Sequence, residues 1–530
     1  MAGEKEYIVT VNSGVDWTQV HEELTSGNSA SGALPARAVE VVKLREINQR
    51  NTHYALTDAE AATLRTDPRI AAVLDPTLRQ IRKVAFQEGN FNKTNTSIGE
   101  QQNWGLLRHI SSTNNFGTST SDPGGTYDYV LDGTGVDVVI TDTGIEPTHP
   151  EWQDANGNSR LQQINWYTES GVAGTQHANH YRDLDGHGTH VTGTAAGKTF
   201  GWAKNARIYS MKINGLSEGA GESNTGIPAD DVSDCLLGWH NAKAGSRPTV
   251  MNASWSLVCG LDTSVTPNRV IGPNGTATIT GGVYRGVVHS NTTRTLLRSK
   301  GLGSGQQLDA NTYYYKVYDA SLDADLEQLI NAGIILCFSA GNQEQKLDAD
   351  SGQDYDNYVT LTSDAFGDNS FRWYYNRVSI PGSSIDKMFF VGALGASASS
   401  STHDQKVYFS NAGTAVNIYT AGQYISSAVS NTNEYAGTDY YLNSSFKQVK
   451  LQGPSMAAPQ MSGMAACLLQ AHPAWSPTQV VSWFKNNAQD KMYSSALDND
   501  YTTSSSIWGG TQRVAYFPLK GQKPFGYTSS

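Results

Sequence analysis

The chain opens with a β-branched apolar run, Tyr7-Ile-Val-Thr-Val11, of strand type, followed by a helix-compatible stretch from Asp16 to Leu24. Ala38-Val-Glu-Val-Val-Lys-Leu44 and Thr52-His-Tyr-Ala-Leu56 read as two further strands. Thr57-Asp-Ala-Glu60 has the spacing of a capping box, in which Thr57 accepts from first-turn N–H groups while Glu60 reaches back. That helix stops before Pro68, whose ring forbids continuation, and Ile70-Ala-Ala-Val-Leu74 is the last strand. Strand, helix, strand, strand, helix, strand predicts a small ferredoxin-like α/β domain within residues 1–76.

Residues 77–103 turn polar and read as an exposed linker, the kind of segment where nicking concentrates. From residue 130 apolar strands alternate with helices. Strands are expected at 136–141, 206–213, 248–252, 333–338 and 388–392, and helices at 187–197, 230–243, 322–332, 456–471 and 477–488. This alternation predicts an α/β domain over 104–490, a parallel sheet with helices on both faces. The Gly-, Asn-, Asp- and Thr-rich stretches 258–320 and 343–386 read as insertions on its loops, with a hairpin near Ala277–Tyr284. Residues 491–530 read as a C-terminal tail, docked or unstructured.

Composition narrows the function classes. At about 150 residues per domain, 530 residues suggest three or four domains, whereas the pattern gives two. Lys and Arg total 38 against 49 Asp and Glu, a net charge of −11, which argues against a general nucleic-acid or anionic-membrane binder. No run approaches the roughly 18 apolar residues of a membrane span. The start, Met1-Ala-Gly-Glu-Lys-Glu, has no apolar signal segment, so the expectation is a cytoplasmic, virion-associated or non-classically exported protein. Cys235, Cys259, Cys337 and Cys467 are spread singly and read as buried reduced thiols, with a Cys235–Cys259 disulfide left open.

Four short islands carry chemistry. Val139-Ile-Thr-Asp-Thr-Gly144 ends an apolar strand on Asp142, at the sheet edge where open α/β folds place their sites. Asp185-Gly-His-Gly-Thr-His190 puts His187 at the start of a small-residue helix. Phe338-Ser-Ala-Gly-Asn342 ends another strand with an amide able to donate to an oxyanion. Gly453-Pro-Ser-Met-Ala-Ala-Pro459 opens a long apolar helix, and Pro459, tolerable only in a first turn, sets its start at or near Ser455. Together they supply a nucleophile (Ser455), a base (His187), its orienter (Asp142) and an oxyanion donor (Asn342).

These islands resemble the signature set of the subtilisin-like serine proteases, in the same Asp, His, Ser order, and most nearly the proteinase K branch. The likeness extends over about residues 103–490, through Trp104-Gly-Leu-Leu-Arg108, Gly201-Trp-Ala-Lys-Asn-Ala206 and Phe409-Ser-Asn411. Residues 6–76 resemble the family's inhibitor-like propeptide, notably at Tyr54-Ala-Leu-Thr-Asp-Ala-Glu60. The resemblance implies a serine endopeptidase made as a self-processing zymogen, acting on proteins or peptides and held by its own propeptide, with cleavage within 77–103. It implies an extended substrate paired along Ser254-Trp255-Ser256, and an S1 pocket walled by Ser339, Ala340 and Gly341. It implies no required cofactor.

Four departures from the family pattern stand out. Pro454 replaces the usual Thr before the nucleophile, and Gln460 replaces a His in its helix. The segment Gly219 to Asp230 does not match the second substrate-binding strand, and no acidic residue for the branch's calcium site lies near Gly392-Ala-Leu-Gly395.

Other readings compete. His177, His180, His187 and His190 have HxxH spacing that mimics a zinc site, but zinc there would remove the triad's free base, so His190 is read as structural and no metal ligand is assigned. The acidic loops 348–356 and 154–158 are candidates for a structural calcium, though neither keeps an EF-hand frame and a solvated loop is preferred. The rival from another class is a catalytically silent structural or binding protein on the same scaffold, for example one carried on a virus particle.

Overall fold

The computed structural model describes residues 3–517 except 30–31, 46, 77–79, 84–85, 88–102, 113, 115–128, 130, 217–224, 273–274, 291, 364–369, 379–384, 397–402, 491 and 493–505. The N-terminal unit is the expected α/β sandwich. Its antiparallel sheet runs Val41–Lys43, Asn51–Leu56, Lys5–Val11, Ile70–Leu74, with helices Trp17–Ser26 and Asp58–Leu64. The capping box at Thr57 and Glu60 is formed on both sides.

The main domain is built on a nine-stranded sheet. Its spatial order is Gln489–Asp490, Arg513–Val514, Ile418–Ala421, Phe389–Leu394, Ile335–Ser339, Thr249–Ala253, Asp137–Asp142, Arg207–Lys212, Leu161–Gln162. All neighbours are parallel except the first pair. The central strands are buried along their whole length, as their near-continuous apolar runs require when both faces are covered. Helix Pro454–Ala471 is buried from Pro454 to Leu469 and packs on His187–Ala196, while Ala229–Ala242 and Ala320–Asn331 form a second helix pair. The α/β class and the parallel sheet are as the sequence predicts.

The segments expected as two loop insertions form one antiparallel sheet. It runs Gln306–Gln307, Thr312–Lys316, Trp255–Asp262, Arg269–Gly272, Gly275–Tyr284, Tyr358–Ser363, Ser370–Tyr374, with a core of its own around Leu261, Ile279, Tyr315 and Leu361. The N-terminal unit docks on the second helix pair through a buried cation. Arg45 donates to Asp234 at 2.5 Å and to Asp325 at 3.3 Å, and burial raises the Asp325 carboxyl to about 6. The polar stretch after it is not wholly a linker. Gln80–Lys83 pairs antiparallel with the start of Trp255–Asp262, and Phe86–Gln87 pairs with Leu451–Gln452. In the C-terminal tail, Arg513–Val514 completes the main sheet, and Ala515 O meets His109 Nδ1 at 2.7 Å. All four cysteines are free and buried, which settles the open disulfide.

Candidate active site

Two of the four islands end or follow strands of the main sheet, Asp142 closing Asp137–Asp142 and Asn342 following Ile335–Ser339, and the other two open helices His187–Ala196 and Pro454–Ala471. His187 Nδ1 lies 2.6 Å from Asp142 Oδ1, with both residues fully buried. The helix carrying His187 comes this close because residue 188 is glycine: a Cβ there would stand 2.2 Å from Gly144 O. His187 Nε2 has no hydrogen-bond partner among the described residues.

The start of the histidine helix is held by a residue the sequence reading did not single out. Asp183 accepts from Gly186 N at 2.8 Å, Thr189 N at 2.9 Å, Thr189 Oγ1 at 2.6 Å and Thr143 Oγ1 at 2.9 Å. It thus ties the helix's free N–H groups to the strand end that carries Asp142, and burial raises its carboxyl above the ordinary value. Asp185 adds a bond from His187 N at 3.1 Å. Asp-x-Asp immediately before a small-residue helix was the available signal.

Ser455 is the second residue of its helix, whose N-cap Gly453 has φ 149°, a backbone region that favours glycine. The Ser455 hydroxyl donates to Ser254 O at 3.0 Å. Pro454 occupies the first helical position, where a missing N–H costs nothing. The helix thus starts next to Ser455, as expected, but Pro459 is its sixth residue rather than part of its first turn, a correction to the expected place of that proline. The ring leaves Ser455 O without its helical donor, and the Ser254 hydroxyl supplies one at 2.9 Å. Gln460, at the family's histidine position, accepts from Trp202 Nε1 at 2.6 Å and donates to Asn103 Oδ1 at 2.7 Å.

Asn342 is 3% exposed, and neither atom of its amide has a partner among the described residues. A buried amide left open in this way costs stability unless something else binds it. Ser339, Ala340 and Gly341 lead to it from the strand end. Ala340 O and Gly341 O are held by Asn411, through Nδ2 at 2.8 Å and N at 2.9 Å. Ser254, Trp255 and Ser256 face this segment, because Thr249–Ala253 and Ile335–Ser339 are adjacent parallel strands. The Trp255 indole is turned inward, donating to Thr141 Oγ1 at 3.1 Å and meeting Phe338 edge-on. Of the segment Gly219 to Asp230, which does not match the family's second substrate-binding strand, residues 219–224 lie outside the described residues.

The histidines of the zinc-like pattern diverge. His190 Nε2 meets Ile425 O at 2.9 Å and burial holds its pKa down at about 3, His180 is held down at about 4, and His177 Nδ1 accepts from Asn179 N. The acidic loops are internally matched. Asp354 pairs with Lys346 and Arg285, Asp348 takes the Asp354 N–H, and Asp154 accepts from Asn156 N and Asn158 N.

The chain is similar to an extracellular serine proteinase of Thermus sp. (strain Rt41A), 25% identical over 449 residues that cover 85% of this chain and 73% of that protein. Proteinase R of Parengyodontium album is 38% identical over 134 residues, 25% of this chain and 29% of its own length. Among solved structures, fervidolysin from Fervidobacterium pennivorans, a keratinolytic enzyme related to subtilisin, aligns with a TM-score of 0.51 and 17% identity over 96% of this chain and 60% of that one, a likeness of fold. No helix among the described residues is long and apolar enough to cross a membrane. The subtilase family matches residues 133–505, well over half the sequence: the chain belongs to that family and is a subtilisin-like serine endopeptidase.

Proposed function

We propose that Asp142, His187 and Ser455 are the catalytic triad, that Asn342 is the oxyanion donor, and that the chain is a zymogen which processes itself. Ser455 Oγ attacks the scissile carbonyl carbon as its proton passes to His187 Nε2, and Asp142 holds the imidazole tautomer and stabilises the imidazolium. The Asn342 amide and the Ser455 N–H take the tetrahedral oxygen. The C–N bond then breaks, His187 returns the proton to the leaving amine, and water hydrolyses the acyl-serine by the same steps. The observation that carries this reading is the 2.6 Å Asp142–His187 contact with His187 Nε2 left open. The side chains suffice for this chemistry without a cofactor.

Extended substrate adds to the edge formed by Ser254–Ser256, opposite Ser339–Gly341, which walls the P1 side chain. The chain's own segment supports this: Lys83 pairs with Trp255 and Arg82 with Ser256, while Phe86 pairs with Gln452, three residues before Ser455. The N-terminal unit thereby blocks the cleft, and self-cleavage falls between Lys83 and Phe86. A phosphonofluoridate reagent is expected to label Ser455, and Ser455→Ala to abolish labelling and casein hydrolysis. Casein hydrolysis by the alanine variant would remove Ser455 from its role, and a wild-type chain both unlabelled and inert would favour the silent-scaffold reading.

A further inference from the structure

The insertion sheet brings a cation to the pocket wall. Lys316 ends the strand Thr312–Lys316 and pairs with Val258, two residues beyond Ser256 on the substrate-binding edge. Its backbone is clamped by one side chain: Gln345 Oε1 accepts from Lys316 N at 2.8 Å, and Gln345 Nε2 donates to Lys316 O at 3.1 Å. From there Nζ runs back to Ser256 Oγ at 3.1 Å and Ser339 O at 3.4 Å, 4.5 Å from the centre of the Phe390 ring. The ammonium thus bridges the two segments assigned above as facing walls of the P1 pocket.

Each of these neighbours is neutral, and no carboxylate pairs with Lys316 among the described residues. Several of its other buried cations are paired with acids, while Arg160, Lys204 and Lys212 donate to main-chain carbonyls. Arg45 has Asp234 and Asp325, Arg108 has Asp404, and Lys243 has Asp137. Lys406, which also lacks an acid in contact, fills its three donor positions with Val407 O, Tyr408 O and Ser410 O. Lys316 has one carbonyl and one hydroxyl. A buried ammonium without a counter-charge is costly, and burial draws Lys316 down to about 7. The paired stretches Gln80–Lys83 and Phe86–Gln87 themselves contain no acid.

We propose that Lys316 sets P1 specificity: its ammonium pairs with the carboxylate of a Glu or Asp side chain entering between Ser254–Ser256 and Ser339–Gly341, so that the enzyme cuts preferentially after acidic residues. This inference rests on the reading of those two segments as the pocket walls. It also gives the self-processing segment a physical character. Tethering compensates for a poorly matched P1 residue in the single intramolecular cut, while the same mismatch makes that segment an occupant rather than a good substrate.

The test is a set of peptide anilides differing only at P1 (Glu, Asp, Gln, Phe, Lys), assayed with enzyme purified from the full-length chain. The closest comparison is Glu against Gln, which share a shape and differ in charge. The expected kcat/KM ratio is on the order of 100-fold in favour of Glu, the scale of a hydrogen bond to a charged group. Lys316→Met should bring that ratio close to one, and Lys316→Arg should retain a preference for acid, which a merely structural lysine would not do. Cleavage of the Gln or Phe peptide as fast as the Glu peptide overturns this inference alone, as does an unchanged Glu/Gln ratio in Lys316→Met. Absence of all cleavage together with an unlabelled Ser455 overturns the triad reading and this inference with it.

Discussion

The Asn342 amide is buried with both polar atoms unpaired, so the substitution Asn342→Leu, which keeps the approximate shape and removes both, acts with opposite sign on stability and on rate. An unsatisfied buried polar group costs about 1–3 kcal/mol, and two such atoms are removed at a position only 3% exposed. The expected change in the resting protein is a gain of about 2 kcal/mol, the remainder going to imperfect packing of the branched side chain. In the transition state the same amide meets a developing negative charge, and losing one such donor lowers kcat by about 10²–10³, or about 3–4 kcal/mol. Urea unfolding is best measured in the Ser455→Ala background, where self-digestion cannot intervene, and kinetics in the active chain. A kcat within roughly threefold of the parent would refute the oxyanion role. A loss of stability would refute the claim that the amide is held open in the resting site.

Ser254→Ala should destabilise by about 1–3 kcal/mol because it removes the hydroxyl that donates to Ser455 O, the carbonyl that Pro459 cannot serve. Adding Pro459→Ala should recover part of that loss, and urea-unfolding cycles that prove additive would contradict the coupling. Arg45→Met strands Asp234 and Asp325 in the buried contact between the N-terminal unit and the helix pair. It should weaken that docking by about 3–5 kcal/mol, read as faster limited proteolysis of residues 1–76 in the Ser455→Ala chain, and unchanged protection would contradict the role of the ion pair. Burial holds Lys406 at about 7, below its value of about 10.4 in an unfolded chain. Between those values the unfolded chain binds more protons, so this residue makes stability rise with pH from 7 to 10 and contributes no slope below 7. Relative to Lys406→Met, the parent should therefore gain thermal stability over that window, and a constant difference would contradict the assignment.

Much of the site is legible in the sequence because its chemistry sits at ends of elements. An apolar strand that stops on Asp142 or runs into Asn342, and a buried helix that opens on Ser455, announce themselves by local pattern. The N-terminal unit is legible for the same reason, since short amphipathic strands, a capping box and Pro68 fix its elements one by one. What escapes depends on contacts distant in sequence. Pairing of Gly275–Tyr284 with Tyr358–Ser363 leaves no mark on either segment alone, so one sheet reads as two loops. Gln80–Lys83 looks like a linker because its side chains are polar, whereas its pairing with Trp255–Val258 uses only the main chain. The sixth-position Pro459 is misleading from sequence, because its tolerance comes from a hydroxyl 205 residues earlier. Lys316 belongs to no motif, and its place beside Ser256 and Ser339 emerges only when the insertion sheet closes.

The central claim is that Ser455 is the nucleophile that frees its own chain from the N-terminal unit. Intact mass after incubation tests it directly, with wild type and Ser455→Ala expressed and purified side by side. The account predicts that the wild type loses its first 83–85 residues, leaving a new N-terminus at Val84, Ala85 or Phe86, while the alanine variant keeps its full mass. The same cut appearing in Ser455→Ala, or a wild-type chain that remains at 530 residues, would contradict it.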